Sequence, residues 1–293
     1  MNNSKSSAVE FDDLQGLLCF GYGKLTDSRF LLLNIVDAAA ARSWLQTAPI
    51  ATAQPAETAP ATALQIAFSM PGLTAIGLSS AALAGFPDEF VNGMSGDEGR
   101  SRRLGDVDDN APAKWQWGGE PKKIPHVLML LYALPGHLEP WQASVQDRNF
   151  AKAFKIVSLL SDNHSQATEP FGFADGISQP DIDWRQAQAT NQKDRQHYSN
   201  RVALGEMVLG YRNEYGYYTA RPLIDPGTDA NAEILADALD KPGLKDFTRN
   251  GTYLVLRHLS QDVPKFWQFL DQTAAGDAGK REQLAVAMVG RSR

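Results

Sequence analysis

Five short apolar runs dominate the first 165 residues: LQGLLCFGY at 14–22, FLLLNIV at 30–36, ALQIAF at 63–68, HVLMLLYAL at 126–134 and FKIVSLL at 154–160. Each is bounded by turn-forming residues, so each is expected to form a strand. Helix signals fall between them. Asp37 can cap a helix over Ala38–Leu45, and Pro71 can open one running toward Leu78. Ser79–Leu83 starts another short helix, and a further one is expected near Glu139–Asp147. The intervals lack the regular alternation that a parallel βαβ sheet needs. The pattern predicts an α+β fold, with an antiparallel sheet covered on one side by helices.

The segments between these elements differ in character. Residues 46–62 are rich in Ala, Pro and Thr and read as a surface loop. Residues 93–123 are dense in Gly, Asp, Lys and Arg around Trp115 and Trp117, which predicts a long irregular excursion. Strands are expected at Gly205–Tyr211 and Thr252–Leu259, separated by a mostly irregular stretch over 212–248. Asp262 and Pro264 then start a helix whose Val263, Phe266, Trp267 and Leu270 share one face, and a last helix is expected over Arg281–Val289. Two domains follow, 1–165 and 166–293. The second offers only two clear strands, and a two-stranded unit does not stand alone, so it reads as incomplete.

A net charge of −6 gives no electrostatic reason to bind nucleic acid or an anionic membrane. The one basic cluster, Arg100, Arg102 and Arg103, is diluted by Asp97, Glu98 and Asp106 and reads as a solvated face. No apolar run approaches the ~18 residues of a membrane span. The polar start, MNNSKSSAVEFDD, has no secretory core, and a single cysteine, Cys19, precludes a disulfide within the chain. These features predict a reducing, cytoplasmic setting.

Common sites are absent from the sequence. Cys19 alternates with Leu18 and Phe20 and reads as core. The five histidines, His126, His137, His164, His197 and His258, lack zinc-ligand spacing, so no metal site is expected from them alone. Gly21-Tyr22-Gly23 lacks the third glycine of a dinucleotide fingerprint. No phosphate loop and no G-x-S-x-G motif occurs. What remains is the run EPFGFADGISQP at 169–180, in which one carboxylate, Asp175, sits among glycines with Phe173 two residues before it. Gly-x-x-Asp-Gly alone also describes a tight turn with an Asx bond.

The longer phrase, Gly172-Phe173-Ala174-Asp175-Gly176-Ile177-Ser178-Gln179-Pro180, resembles the distal-side motif of the dye-decolourising (DyP-type) haem peroxidases. Companion segments occur in the same order. They are Asp13-Leu14-Gln15-Gly16, Ala67-Phe68-Ser69 with Gly72-Leu73, Phe86-Pro87-Asp88-Glu89-Phe90, and Arg103-Leu104-Gly105-Asp106 with Trp117. Gly205–Tyr211, Asn250–Arg257 and Met288-Val289-Gly290-Arg291 complete the series. The longer-chain members fit best.

The resemblance implies two ferredoxin-like α+β domains of the dimeric α+β barrel type, with haem b held mainly by the second. It implies that Asp175 is the distal acid/base, taking a proton from hydrogen peroxide and returning it to the leaving oxygen. A carboxylate of ordinary pKa near ~3.9 stays able to accept a proton well into acid, so a mildly acidic optimum is expected. Gly172 and Gly176 would let the backbone pass close to the macrocycle. Phe173, Ile177, Ser178 and Gln179 complete the expected cofactor-binding set. Hydrogen peroxide and an organic reductant, a dye or a phenol, are the expected substrates. Tyr215, Tyr217, Tyr218 or Trp184 could relay electrons from bulky reductants.

One departure matters. The resemblance places the proximal histidine and a distal arginine after the region matched by Gly290-Arg291, and the sequence stops there. No histidine lies in a segment like the proximal motif; His258, expected on the Leu254/Leu256 face of a strand, comes nearest. The chain is therefore expected to be a truncated or split peroxidase, with a complementing C-terminal polypeptide or a homo-oligomer as partner. The alternative is a haem-free, non-enzymatic α+β relative acting as an assembly or binding protein.

Overall fold

A computed structural model describes residues 8–55, 58–163, 168–174, 179–187 and 200–290. The chain divides into two compact units, one of residues 1–163 with 182–253 and the other of residues 164–181 with 254–293.

The first unit is built on a four-stranded antiparallel sheet. Strands β1 (Asp27–Ile35), β2 (Thr62–Phe68), β3 (Val127–Ala133) and β4 (Phe154–Asn163) lie in the order β2-β3-β1-β4. With a helix after β1 and helices before β4, this is the ferredoxin-like βαββαβ arrangement. Leu31 and Leu33 of β1, Leu64 and Ile66 of β2, and Val127, Met129 and Leu131 of β3 all point to one face. The two-residue period of a strand puts them there. That face is covered by helices carrying Trp44 and Phe150, and Trp44 Nε1 donates to the Val145 carbonyl at 3.3 Å. The α+β class and the one-sided helical cover expected from sequence are both present.

Local signals account for most helix positions. After the short helix α1 (Leu17–Phe20) comes α2 (Ala38–Leu45), and the Asp37 carboxylate accepts from Ala40 N at 2.9 Å. Helix α3 (Met70–Ile76) carries Pro71 in its first turn and is capped by Ser69; α4 (Ser80–Ala84) is capped by Ser79. Short α5 (Asp88–Asn92) and α6 (Glu98–Leu104) follow, then α7 (Leu138–Val145) and α8 (Arg148–Ala153), the last capped by Asp147. Gly72 has a packing role: a Cβ there would overlap the His126 carbonyl, so only glycine lets α3 approach the start of β3.

Four expectations fail, each for a physical reason. Residues 14–22 are not a strand, because Leu17–Phe20 is helical and Gly21 and Tyr22 are left-handed, at φ +59° and +51°. Gln15 takes the strand partner's place with its side chain. Its amide donates to the Ile66 carbonyl at 2.9 Å and accepts from Ile66 N at 2.8 Å, closing the edge of β2. Cys19 consequently sits half-buried on α1, and burial pushes its thiol pKa up.

The excursion at 93–123 contains an ordered helix, α6, started by Asp97 and stopped by Gly105 at φ +76°. Its Arg100 is tied to Asp97 at 3.8 Å and to the Gly93 carbonyl rather than standing in a solvated row. Gly205–Tyr211 is a tight turn. A Cβ on Gly205 would strike the Arg212 backbone, and Gly210 is left-handed, so the segment bends while Val208, Leu209 and Tyr211 turn inward. Thr252–Leu259 is neither helix nor strand, and Leu254, Val255 and Leu259 are exposed. Its β-forming residues meet no partner backbone among the described residues, and a ladder requires one.

The second unit contains helices α9 (Val263–Ala274) and α10 (Ala278–Val289), packed on residues 171–173. Both helices agree with the sequence expectation. Asp262 and Asp277 supply their caps, accepting from Lys265 N and Lys280 N at 3.0 Å each.

Candidate functional site

The run 169–180 enters the described structure as a closed loop. Thr168 and Ala174 form an antiparallel bridge. Within it, Glu169 N donates to the Phe173 carbonyl at 2.9 Å and Gly172 N to the Glu169 carbonyl at 2.8 Å. The Glu169 carboxylate accepts from Phe171 N through Oε2 and from Phe173 N through Oε1, both at 2.8 Å. Gly172 has φ +95°, a conformation that side chains disfavour.

The aromatic residues of the loop anchor it to α9. Phe171 meets Phe266 with ring centroids 4.3 Å apart, and Phe173 stacks on Trp267 at 6.4 Å. Phe173 is fully buried with Leu270 and Ala285. The Arg281 guanidinium lies 4.7 Å from the Trp267 ring and pairs with Asp271 at 3.2 Å. The turn and its helix pair thus fix the chain up to Ala174. Asp175, Gly176, Ile177 and Ser178 lie outside the described residues; Gln179, beyond them, is exposed.

The first unit holds two polar clusters that sequence reading missed. Arg221 pairs with Asp246 at 2.5 Å and with Asp240 at 2.6 Å, and the Tyr218 ring lies 5.1 Å from its guanidinium. Arg249 grips Glu10 through two bonds, of 2.8 and 3.0 Å. Asn250, left-handed at φ +65°, donates to both Glu10 and Asp13 and accepts from the Tyr211 hydroxyl. The Arg249 hydrogen bond holds the Glu10 carboxyl below its ordinary range, against the opposing effect of burial. The first cluster closes the 205–250 segment on itself, and the second ties its end to the start of the chain. Partners some 240 positions apart leave no local signal; the single hint was the resemblance of Asn250–Arg257.

The candidate relay aromatics separate by environment. Tyr215 and Tyr217 are 70% and 72% exposed, on a turn where the Asn213 side chain accepts from both their backbone N–H groups. Tyr218 packs under Arg212 and Arg221, and Trp184 lies 5.7 Å from Phe11.

No family model matches the chain. It is 27% identical over 299 residues to Peroxidase 2 of Mycetinis scorodonius, covering 98% of this chain and 50% of that protein. It is 27% identical over 299 residues to a dye-decolorizing peroxidase of Exidia glandulosa, covering 97% of this chain and 52% of the relative. The chain is related to the dye-decolorizing peroxidases. It spans about half the length of the curated relatives it matches. Their fold is shared. An ancestral D-type dye decolorizing peroxidase superposes with a TM-score of 0.67 at 21% identity, covering 97% of this chain and 58% of that one. The peroxidase of Auricularia auricula-judae gives 0.64 at 23% identity, covering 97% and 57%.

Similarity to haem enzymes directs attention to the histidines as iron ligands. The Nδ1 atom of His126 accepts from Ile35 N at 3.1 Å in the first unit's sheet, and burial lowers its pKa. His137 and His258 are exposed, and His258 stands on no strand. His164 and His197 lie outside the described residues. An axial ligand to haem iron needs a controlled, enclosed surround, and none of the described histidines fits that role. Among the described residues no cluster of three or more His, Cys, Asp or Glu could hold a metal ion, and no helix is long and apolar enough to cross a membrane.

Proposed function

We propose that the chain forms the peroxide-facing part of a dye-decolorizing-type haem peroxidase, in a cytoplasmic setting, with Asp175 as its acid/base. The observation that carries this reading is the relationship to dye-decolorizing peroxidases along 97–98% of the chain, which includes the 169–180 run. Haem is the expected cofactor and supplies the redox chemistry when bound. Because the described histidines do not fit the axial position, haem loading is proposed to need protein beyond the described residues, as a complementing polypeptide or a second copy.

The role of the chain itself is proton handling. Asp175 accepts a proton from hydrogen peroxide and delivers it to the departing oxygen, a task suited to a carboxylate that is ionised above mildly acidic pH. Gly172, Phe173, Gly176, Ile177, Ser178 and Gln179 are proposed to shape the wall around it. Phenolic reductants are proposed by kinship, since one solved dye-decolorizing peroxidase is in complex with 2,6-dimethoxyphenol. Tyr215 and Tyr217 are proposed as their contact points, on the strength of their exposure.

The test is hemin titration of the chain, alone and with polypeptide matching the rest of the relatives' length, followed by peroxide mixing. A Soret band with rapid peroxide reaction is expected in the complemented sample. Asp175→Asn should keep the band and lower the peroxide rate by at least about a hundredfold, the lower range for a lost acid/base. Absence of a Soret band in every combination refutes the reading.

A further inference from the structure

We infer that Glu169 is a positioning residue whose carboxylate sets the backbone course of residues 170–174, and through it the placement of the proposed acid/base at the next position. The second half of this inference rests on the proposed role of Asp175; the first half does not.

The geometry is specific to a side chain of this kind. Each carboxylate oxygen accepts one backbone N–H, from Phe171 and from Phe173, at 2.8 Å. Bonds to an ionised acceptor are about twice as strong as neutral ones. Phe173 is wholly buried, so water does not stand in for the carboxylate at its amide. Pro170 restricts φ on one side, and Gly172 supplies the left-handed residue on the other. The backbone of Glu169 also pairs with Phe173, so side chain and main chain of one residue clamp the same four positions.

The division of labour points to positioning. Burial of the loop is secured by its rings: Phe171 on Phe266 and Phe173 on Trp267. Ring packing fixes where the loop docks but leaves its peptide planes free to tilt. Two charge-assisted bonds to alternate amides remove that freedom. Glutamine offers only one acceptor oxygen and no charge, so it cannot give each amide its own charged acceptor. Where the Asn213 amide serves two such donors with one neutral oxygen, Glu169 gives each donor its own charged oxygen.

The experiment uses the full chain with Glu169→Gln and Glu169→Ala. Hydrogen exchange of the Phe171 and Phe173 amides should accelerate by about tenfold or more in Glu169→Ala, as the loss of bonds to a charged group implies, with Glu169→Gln between it and the parent. Met129 and Leu131 amides in β3 should not change. Glu169→Gln guards against a variant that fails to fold. Unchanged exchange at Phe171 and Phe173 overturns the inference, whatever the peroxidase reading's fate.

In the haem-loaded, complemented form, Glu169→Ala should slow the peroxide reaction and displace its acid limb, while the Soret band and thermal midpoint hold. An unaltered rate and pH profile in Glu169→Ala, beside a collapsed Asp175→Asn, overturns the positioning role and leaves the peroxidase reading standing. If Asp175→Asn is fully active, the peroxidase reading fails and the exchange data alone decide whether Glu169 shapes the loop.

Discussion

The Phe173 ring lies parallel to Trp267, their planes inclined by 7° and their centroids 6.4 Å apart. This pair joins the residue two before Asp175 to the first helix of the second unit. It fixes the approach of the acidic run up to Ala174. Offset-stacked rings add about 0.5–1.5 kcal/mol beyond their area burial, and Phe173 is wholly buried.

Phe173→Ala should therefore cost about 3–5 kcal/mol in the second unit, the usual range for deleting a buried aromatic side chain. Hydrogen exchange in α9 and α10, and loss of the near-ultraviolet dichroism of Trp267, would record it. Retention of both signals would mean that the stack contributes little.

Arg221 and Asp246 form a buried ion pair, their side chains 2% and 1% exposed. Arg221→Met should destabilise the first unit by about 3–5 kcal/mol, because the buried Asp246 charge loses its partner; Asp246→Asn should cost less, because Asp240 still pairs with Arg221. Changing both together should recover much of that loss. A double-mutant cycle in urea measures the coupling; additive losses would show that the pair acts as two separate groups.

Glu10 gives a pH signature. Its carboxyl is held below the ordinary 4.5 by Arg249 in the folded chain. The unfolded chain binds the proton more readily, so stability rises with pH in that window. The contribution is fully present above the ordinary value and is lost as pH falls through the lowered one. Urea midpoints of the parent and Glu10→Gln should differ by a constant amount above about pH 5 and converge in stronger acid. A difference independent of pH would exclude the Arg249 pairing as its source.

Val255 and Leu259 are 69% and 66% exposed. Val255→Ser and Leu259→Ser should change the stability of this chain by no more than about 0.5 kcal/mol, and should raise its solubility by interrupting an apolar run. A clear fall in thermal midpoint that depends on protein concentration would reveal a second copy covering the segment.

Much of the architecture was legible in sequence because its causes are local. Asp37 lies three residues from the amide it caps, and Pro71 begins the helix it suits. The alternation of Leu31 with Leu33, and of Met129 with Leu131, placed their strands on the covered face. The candidate site was legible only as a phrase. Glu169 belongs to that phrase, yet nothing in its spacing distinguishes a clamp on two amides from a solvated carboxylate.

The remainder was hidden because its partners are remote. LQGLLCFGY and TYLVLRHL have the composition of strands, but composition supplies only a preference for extended backbone. A strand exists when another backbone meets its N–H and C=O groups. At Gln15 a side chain meets β2 instead, and along 252–259 no described backbone does. Sequence by itself determined the caps, the helix faces, the α+β class and the acidic run. Tertiary structure decided which apolar runs became strands, and which distant charges, such as Glu10 with Arg249, were brought together. Pairing energy depends on the second partner, and no single segment encodes where that partner lies.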